Sequence, residues 1–156
     1  MKVWEGKRFS VEVEDGREIA RSRDAVSILA VDAEDRVLLV RQKRPAVGKE
    51  LLELPAGLID EGEAPLATAQ RELREETGLR GGRWRELVSF WSTPGFVDER
   101  LTLFKAEDLE EGEPEPDTGE ELEIVRWTRD EVESRLHELE DGSTLVGLLL
   151  HLRETA

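Results

Sequence analysis

The sequence predicts one α/β or α+β domain in which a mixed β-sheet is sandwiched between α-helices. Its length of 156 residues suits a single domain with one substantial core. Runs that alternate like strands occur in mixed order with segments of helical periodicity. No internal repeat and no linker divides the chain. Because strands and helices in mixed order pack as layers, we expect helices on both faces of the sheet.

The first 44 residues predict two antiparallel hairpins. In "RFSVEVEDGREIARSR", two alternating strands meet at Asp15-Gly16, a dipeptide suited to a tight turn. The apolar runs 25–31 and 37–40 then flank the turn-like segment "DAED". We therefore expect a second hairpin that is more buried than the first.

The central part predicts a strand, a loop and a helix. The segment "ELLELPAGLID" indicates a short strand that runs into a loop at Pro55 and Gly57. Pro65 suits the first turn of the following helix, and Gly78 suits its C-terminal cap. The expected apolar face of this helix consists of Leu66, Ala69 and Leu73.

The second half predicts further strands and two helices. Strands are expected in "WRELVSFWSTPG", "ERLTLFKAEDL" and "IVRW". Residues 107–123 contain many acids and no base, which by itself is typical of a solvated loop. Thr128 and Glu131 form a capping box that opens one helix, and an apolar helix follows at about 143–153.

Composition excludes several classes of function. The net charge of −15 offers no basic surface for nucleic acid. Cysteine is absent, so disulfides and zinc–thiolate sites are excluded. The N-terminal segment lacks the apolar core of a signal peptide, and no apolar run is long enough to cross a membrane. We therefore expect a cytoplasmic protein. Because the protein is acidic, an anionic substrate would need a metal ion or locally placed arginines for binding.

Three glutamates raise the question of function. Glu72, Glu75 and Glu76 are spaced i, i+3 and i+4, so their carboxylates share one face of the helix. Each like-charge pair at this spacing costs about 0.2–0.5 kcal/mol. Either the face is solvated or a positive group lies between the carboxylates. Oxygen ligands of this kind suit hard cations such as Mg²⁺ or Mn²⁺.

The wider spacing resembles the signature of the Nudix hydrolases, Gly-x5-Glu-x7-Arg-Glu-U-x-Glu-Glu-x-Gly-U, where U is aliphatic. Every fixed position matches, from Gly57 through Glu63 to Leu79. The resemblance implies a hydrolase that cleaves a nucleoside diphosphate linked to another moiety. It also implies the Nudix fold, a mixed sheet between helices, and dependence on divalent metal.

The resemblance implies roles for particular residues. Arg71 would orient the helix carboxylates, and Glu63 would brace the loop. Glu121 would be the general base or an additional metal ligand, with Glu120 as its alternate because an acidic run is hard to align. The metal ligands, for Mg²⁺ or alternatively Mn²⁺, would be the backbone carbonyl of Ala56 and the side chains of Glu72, Glu75, Glu76 and Glu121. Glu75 also counts among the expected catalytic residues.

Further segments resemble the ADP-ribose pyrophosphatase branch of this family. They are "RQKRPAVGKELLELPAGLIDEGE", the loop "STPGFVDER" with Pro94 fifteen residues after Leu79, and the acidic "GEELE". The resemblance implies that Arg44 contacts the phosphates or the terminal ribose and that Glu99 binds ribose hydroxyls. Leu58 would supply backbone contacts near the diphosphate.

This branch is usually homodimeric, with the N-terminal strands of one subunit lending part of the other's adenine site. By analogy, strands within residues 1–24 would form the dimer, and Arg23 could reach across. The expected reaction gives AMP and ribose 5-phosphate from ADP-ribose. Alternatives are another nucleotide substrate (GDP-mannose, FAD or NADH) or a sensor that binds ADP-ribose or NAD metabolites without turnover.

The remaining aromatic residues and histidines have simpler interpretations. The tryptophans at positions 4, 84, 91 and 127 are expected to pack in the core or at an interface. Stacking on adenine is an alternative for Trp4 and Phe9. His137 and His151 lack a partner motif, so we expect them to be hydrogen-bonded or exposed and not to be metal ligands.

Overall fold

A computed structural model of the chain describes residues 1–115 and 122–154. The strands are β1 (Lys2–Glu5), β2 (Phe9–Glu14), β3 (Arg17–Ser22), β4 (Ala25–Ala30), β5 (Val37–Arg44), β6 (Lys49–Glu53), β7 (Ala56–Leu58), β8 (Arg83–Trp91), β9 (Arg100–Glu107) and β10 (Glu123–Trp127). The helices are α1 (Pro65–Thr77), α2 (Arg129–Arg135) and α3 (Gly142–Arg153), with a 3₁₀ turn at Leu136–Glu138.

The central sheet is mixed and lies between two helices. Its strand order is β7-β4-β9-β8, with β4 and β9 parallel and the other pairs antiparallel. On one face of β4, Val26 and Ile28 pack with Leu73 of α1. On the opposite face, Leu29 packs with Leu148 of α3. Alternation along one buried strand therefore builds two core layers, and the predicted sandwich is confirmed.

The N-terminal hairpin is confirmed and gains a strand. Strands β2 and β3 pair in register through a turn at Asp15 and Gly16, whose φ angles are 50° and 76°. Both lie in the left-handed region that this type of tight turn requires. Strand β1 adds to the outer edge of β2, which the sequence did not predict. Its four residues are all exposed, so no alternation with a core marks it as a strand.

The second predicted hairpin is wrong. Strand β4 lies in the central sheet, whereas β5 lies in a separate antiparallel sheet of order β10-β5-β6. Only an isolated bridge between Val31 and Val37 joins the two runs, beside the expected turn. All of β4 and the first half of β5 are buried. Such continuously apolar strands pair on both edges inside a protein, which adjacency in the sequence does not reveal.

The predicted loop around Gly57 contains a short strand. Residues Ala56–Leu58 form β7, in which Ala56 pairs with Ser27 and Leu58 with Ala25. Three residues that include a glycine carry too little pattern to predict a strand. The pairing fixes the backbone of this segment against β4.

Helix α1 begins and ends as predicted. Pro65 occupies the first turn, and Gly78 has a φ of 77° and donates its backbone N–H to the Arg74 carbonyl at 2.8 Å. Ala69 and Leu73 are fully buried, but Leu66 remains 40% exposed. The expected apolar face is therefore wrong at Leu66, because the buried side of α1 starts only at Thr68.

The C-terminal elements follow the sequence closely. The capping box of Thr128 and Glu131 is present, and the final apolar helix forms as α3. Trp127 is buried in the core, whereas Trp4 and Trp91 are about half exposed (51% and 50%) and do not pack in it. His151 is also buried, and its ring nitrogens have no hydrogen-bond partner among the described residues, contrary to expectation. Across the described ranges, no helix is long and apolar enough to span a bilayer.

Candidate active site

One cavity of about 410 Å³ brings the sequence-predicted site residues together. Its lining combines arginines, carboxylates and the backbone of β7, from Arg8, Arg23, Ala25, Gln42, Arg44, Ala56, Gly57, Leu58, Asp60, Arg71, Glu72, Glu75, Glu76 and Glu99. The predicted catalytic, metal-binding and substrate-binding residues within the described ranges are all in this set. Glu63 and the alternative adenine-stacking residues Trp4 and Phe9 are not in it. Glu120 and Glu121 lie outside the described residues.

Helix α1 and strand β7 approach closely at Gly57. A Cβ atom added to Gly57 would lie 2.1 Å from the Glu72 side-chain carboxyl carbon. Any side chain at position 57 would displace the Glu72 carboxyl group from this point. The pairing of β7 with β4 holds Gly57 in place, so the sequence positions Glu72 directly against the β7 backbone.

Arg71 lies among the carboxylates of the helix and the preceding loop. Its Nη1 donates to Glu72 Oε1 at 2.8 Å and to Glu75 Oε2 at 3.2 Å. Its Nε and Nη2 donate to the two oxygens of Glu63 at 3.1 and 3.0 Å. A positive group therefore does lie between two of the three glutamates. Hydrogen bonding to Glu63, followed by the charge of Glu72, raises the pKa of the Arg71 guanidinium, which stays charged.

Glu63 links the loop to the helix, as the family resemblance implied. Hydrogen bonds from Arg71 and then from Thr68 lower the pKa of the Glu63 carboxyl from 4.5 to about 2. The Thr68 hydroxyl donates to Glu63 Oε2 at 2.8 Å. The Glu63 backbone N–H also donates to the Asp60 carbonyl at 3.0 Å, which closes the turn before α1. Glu63 is thus ionised at neutral pH and keeps Arg71 in position.

The donor set in the cavity fits a hard divalent cation. Glu72, Glu75 and Glu76 lie on the cavity side of α1, and Ala56 lines the same cavity from β7. All of these can offer oxygen, and the carboxylates add negative charge. Within residues 1–115 and 122–154, no three carboxylate or histidine side chains already converge as a metal site. Arg71 shares two of the carboxylates in this arrangement.

Arg44 lines the cavity from β5, and its side chain is held in place by Glu53 of β6. Its Nε and Nη2 donate to the two carboxylate oxygens of Glu53 at 2.8 and 2.5 Å. The Glu53 side chain is only 5% exposed. This bidentate pair fixes the plane of the guanidinium. Its hydrogen bonds to Glu53 are also the main reason that the pKa of Arg44 is raised. Arg44 is therefore a rigidly placed cation.

Three polar lining residues, and also Ala25, were not predicted from the sequence. Asp60 accepts a hydrogen bond from Arg23 Nη1 at 2.7 Å, within the same chain. Gln42 precedes Arg44 by two positions on β5, so strand alternation could have indicated a shared face. Arg8 lies between β1 and β2, where no pattern points to the cavity.

Glu99 reaches the cavity from the loop that joins β8 and β9. The Ser92 N–H donates to the Glu99 carbonyl at 3.1 Å and closes this loop. Leu58 lines the cavity from β7, opposite Ala25 of β4. Chemically, the cavity offers arginines for an anion, carboxylates for a metal ion, and Glu99 as an acceptor for hydroxyl groups.

Comparisons with known proteins agree with this geometry. The model of the NUDIX domain family matches residues 21–144. The "ADP-ribose pyrophosphatase" of Bacillus subtilis is 35% identical over 98% of this chain and 90% of its own length. The "Methanol dehydrogenase activator" of Bacillus methanolicus is 32% identical over 98% of this chain and 90% of its own length. A solved structure, titled "Crystal structure of ADP compounds hydrolase", superposes with a TM-score of 0.79 and 28% identity, over 98% of this chain and 89% of that one.

The matched domain contains the whole segment from Gly57 to Leu79 and most of the residues that line the cavity. The match and the full-length relatives confirm the prediction from the sequence. This chain belongs to the Nudix hydrolase family.

Proposed function

We propose that this chain hydrolyses ADP-ribose at its diphosphate, giving AMP and ribose 5-phosphate. The observation that carries the proposal is the cavity that acidic α1 residues line together with arginines from three other segments. The names of the B. subtilis relative and of the similar structure support an ADP-containing substrate. In this reaction water attacks one phosphorus, and the bond from that phosphorus to the bridging oxygen breaks.

The family generally works with divalent metals. Here the side chains of Glu72, Glu75 and Glu76, with the Ala56 carbonyl, would hold Mg²⁺, or alternatively Mn²⁺. The chemistry that such an ion supplies is polarisation of a phosphoryl oxygen and activation of water. Glu121 remains our candidate for the general base or a further ligand, with Glu120 as its alternate.

The arginines of the cavity would bind the charged part of the substrate. Arg44, fixed by Glu53, presents a preoriented guanidinium of the kind that binds phosphate oxygens. Arg8 adds a cation at the N-terminal side of the cavity. Arg71 would orient Glu72 and Glu75. The other arginines of the cavity would then bind the phosphates.

The remaining contacts would select the sugar and the base. Glu99 would accept hydrogen bonds from the terminal ribose, and the backbone at Leu58 would lie near the diphosphate. Arg23 lines the cavity of its own chain, where it pairs with Asp60, and we propose it as a substrate contact there. A cytoplasmic location and a single domain over residues 1–156 remain predictions.

A homodimer is part of the proposal. Val3, Trp4 and Phe9 of the N-terminal sheet are each more than two-fifths exposed. The rings of Trp4 and Phe9 pack against each other with centroids 5.1 Å apart. An exposed apolar group of this kind is typical of a surface that contacts another protein. Measurement of the mass in solution by light scattering tests this, since a monomeric mass at micromolar concentration would contradict it.

A regulatory role is the second candidate function. It is favoured by the B. methanolicus relative, which is named as an activator of an enzyme and matches over nearly the full chain. In that case the cavity would bind an ADP-containing metabolite, and turnover would be absent or secondary.

A substrate panel separates these proposals. The protein is incubated with Mg²⁺ and ADP-ribose, GDP-mannose, NADH, FAD or diadenosine polyphosphates, and the products are identified by mass. AMP and ribose 5-phosphate, with the highest kcat/KM for ADP-ribose, are expected. A higher kcat/KM for another nucleotide would contradict the substrate. Tight binding of ADP-ribose without products would favour the regulatory role.

A further inference from the structure

The Glu99 loop, defined here as residues 92–99 between β8 and β9, is attached to the end of β3 by one side chain. Asp98 Oδ1 accepts a hydrogen bond from the Ser22 backbone N–H at 2.8 Å. Asp98 Oδ2 accepts another from Arg21 Nη1 at 3.3 Å. Both donors are at the C-terminal end of β3, and the next residue, Arg23, lines the cavity.

The backbone completes this attachment. The Ala20 N–H donates to the Phe96 carbonyl at 2.8 Å, and the Asp98 N–H donates to the Ala20 carbonyl at 3.3 Å. On the other side of Glu99, the Arg100 N–H donates to Asp24 Oδ1 at 3.0 Å. Glu99 therefore lies between Asp98, which is bonded to the end of β3, and Arg100, which is bonded to the segment that links β3 to β4.

The attachment lies beside two residues of the cavity. Glu99 directly follows Asp98, and Arg23 directly follows Ser22. Both Glu99 and Arg23 line the cavity. A hydrogen bond that joins Asp98 to Ser22 consequently sets the separation of Glu99 and Arg23 at the cavity wall.

Arg21 does not depend on Asp98 for its own position. Its Nε donates to Glu12 at 2.9 Å, and its Nη2 donates to Glu14 at 2.5 Å. Both of these partners belong to the neighbouring strand β2. Loss of the Asp98 carboxylate would therefore leave β2 and β3 paired and would loosen only the Glu99 loop, which keeps its backbone hydrogen bonds to Ala20. This makes a local effect on the cavity separable from unfolding.

We propose that Asp98 is a positioning residue that holds Glu99 at the cavity and thereby sets the affinity for the sugar end of a nucleoside diphosphate substrate. This inference rests on the proposed function for its substrate. Asp98 acts through Glu99 and does not itself line the cavity.

Steady-state kinetics with ADP-ribose test the role of Asp98. Asp98→Ala should raise KM about tenfold and lower kcat less than about threefold, because a contact made equally in the ground and transition states is lost. Asp98→Asn keeps an oxygen for the Ser22 N–H and should restore most of the affinity. Glu14→Ala, which removes another partner of Arg21 on β2, is the matched control and should leave KM unchanged.

A double variant tests whether Asp98 acts through Glu99. The KM of Asp98→Ala/Glu99→Gln should equal that of Glu99→Gln alone, because coupled residues are not additive. Independent, multiplying effects would overturn the proposal, as would a wild-type KM in Asp98→Ala.

Amide hydrogen exchange tests the attachment without using turnover. Asp98→Ala removes the acceptor of the Ser22 amide, so the informative amide is that of Ala20, whose acceptor is the Phe96 carbonyl of the loop. Its exchange should become about tenfold faster or more if the loop moves. Unchanged exchange of the Ala20 amide would overturn the attachment even in an active enzyme. Absence of ADP-ribose hydrolysis by the wild type, with the expected change in exchange, would instead contradict the proposed function.

Discussion

Arg71 Nη1 donates to both Glu72 and Glu75, at 2.8 and 3.2 Å, so one guanidinium lies between carboxylates one helical turn apart. The repulsion expected from their spacing is offset within the protein itself. Glu63 holds the other edge of the same guanidinium. A divalent ion that entered the cavity would share these carboxylates with Arg71.

Arg71→Lys should destabilise the protein and lower its activity. Lysine cannot donate to Glu63 through two parallel hydrogen bonds while also contacting Glu72 and Glu75. Losing charge-assisted hydrogen bonds of this kind should lower the free energy of unfolding by about 1–3 kcal/mol. Urea unfolding measures this, with Arg74→Lys on the exposed side of α1 as the control. Equal midpoints for Arg71→Lys and the wild type would contradict the role of Arg71.

Gly57→Ala should impair turnover. The new Cβ would lie 2.1 Å from the Glu72 carboxyl carbon, so the carboxylate or the β7 backbone must shift. A misplacement near 1 Å at reacting groups can cost about a hundredfold in rate. The measurement is kcat/KM for ADP-ribose, with Gly142→Ala as the control because a Cβ there meets nothing within 4 Å. Wild-type kcat/KM in Gly57→Ala would show that this close approach has no functional importance.

Mg²⁺ should raise the melting temperature of the wild type. An ion that binds only the folded cavity stabilises it by about 2.7 kcal/mol at a hundred times its Kd. Thermal unfolding is followed across millimolar Mg²⁺ for the wild type and for Glu72→Gln/Glu75→Gln. We expect the shift to disappear in the double variant. A shift of the same size in both proteins would place the ion elsewhere.

The Glu63–Arg71 pair should make stability depend on acidity below pH 4.5. The pKa of Glu63 is about 2 in the folded protein and 4.5 as the ordinary value, so between these values the unfolded chain binds more protons. The contribution of the pair is therefore present above about 4.5 and is lost as pH falls toward about 2. As the pH is lowered from 6 to 2, the urea midpoint should decrease less steeply for Glu63→Gln than for the wild type. Identical slopes would contradict the shifted pKa.

The sequence indicated which residues share the cavity better than it indicated which strands pair in the sheets. The residues from Gly57 to Leu79 act through local spacing on one loop and one helix, so their arrangement is already present in the sequence. The separation of β4 and β5 into two sheets depends on distant partners, β9 for one and β10 for the other. Strands that are buried on both faces have similar apolar sequences whichever strands they pair with, so the sequence does not reveal their partners.

The same distinction explains the residues that the sequence missed. Arg8 reaches the cavity only because the N-terminal sheet lies against it, and neither periodicity nor spacing records that placement. The sequence indicates no more for Asp98 than a place in a loop, since its partners Arg21 and Ser22 are far away in the sequence. The prediction that Leu66 is buried was wrong for a local reason. Helical spacing indicates which face of α1 is apolar but not at which residue burial begins.

The most direct test of the central claim is hydrolysis of ADP-ribose by Glu76→Gln. Glu76 is 8% exposed at the cavity side of α1, and glutamine keeps its shape while removing the charge. The experiment measures kcat with Mg²⁺, identifies the products by mass and records the melting temperature. Glu133→Gln, at an exposed position of α2, is the control.

We expect Glu76→Gln to lose at least about a hundredfold in kcat while it stays folded, because metal-assisted chemistry depends on the charge of its ligands. The wild type and Glu133→Gln should both give AMP and ribose 5-phosphate. A kcat for Glu76→Gln close to that of the wild type would contradict the assignment of the α1 glutamates as the metal site.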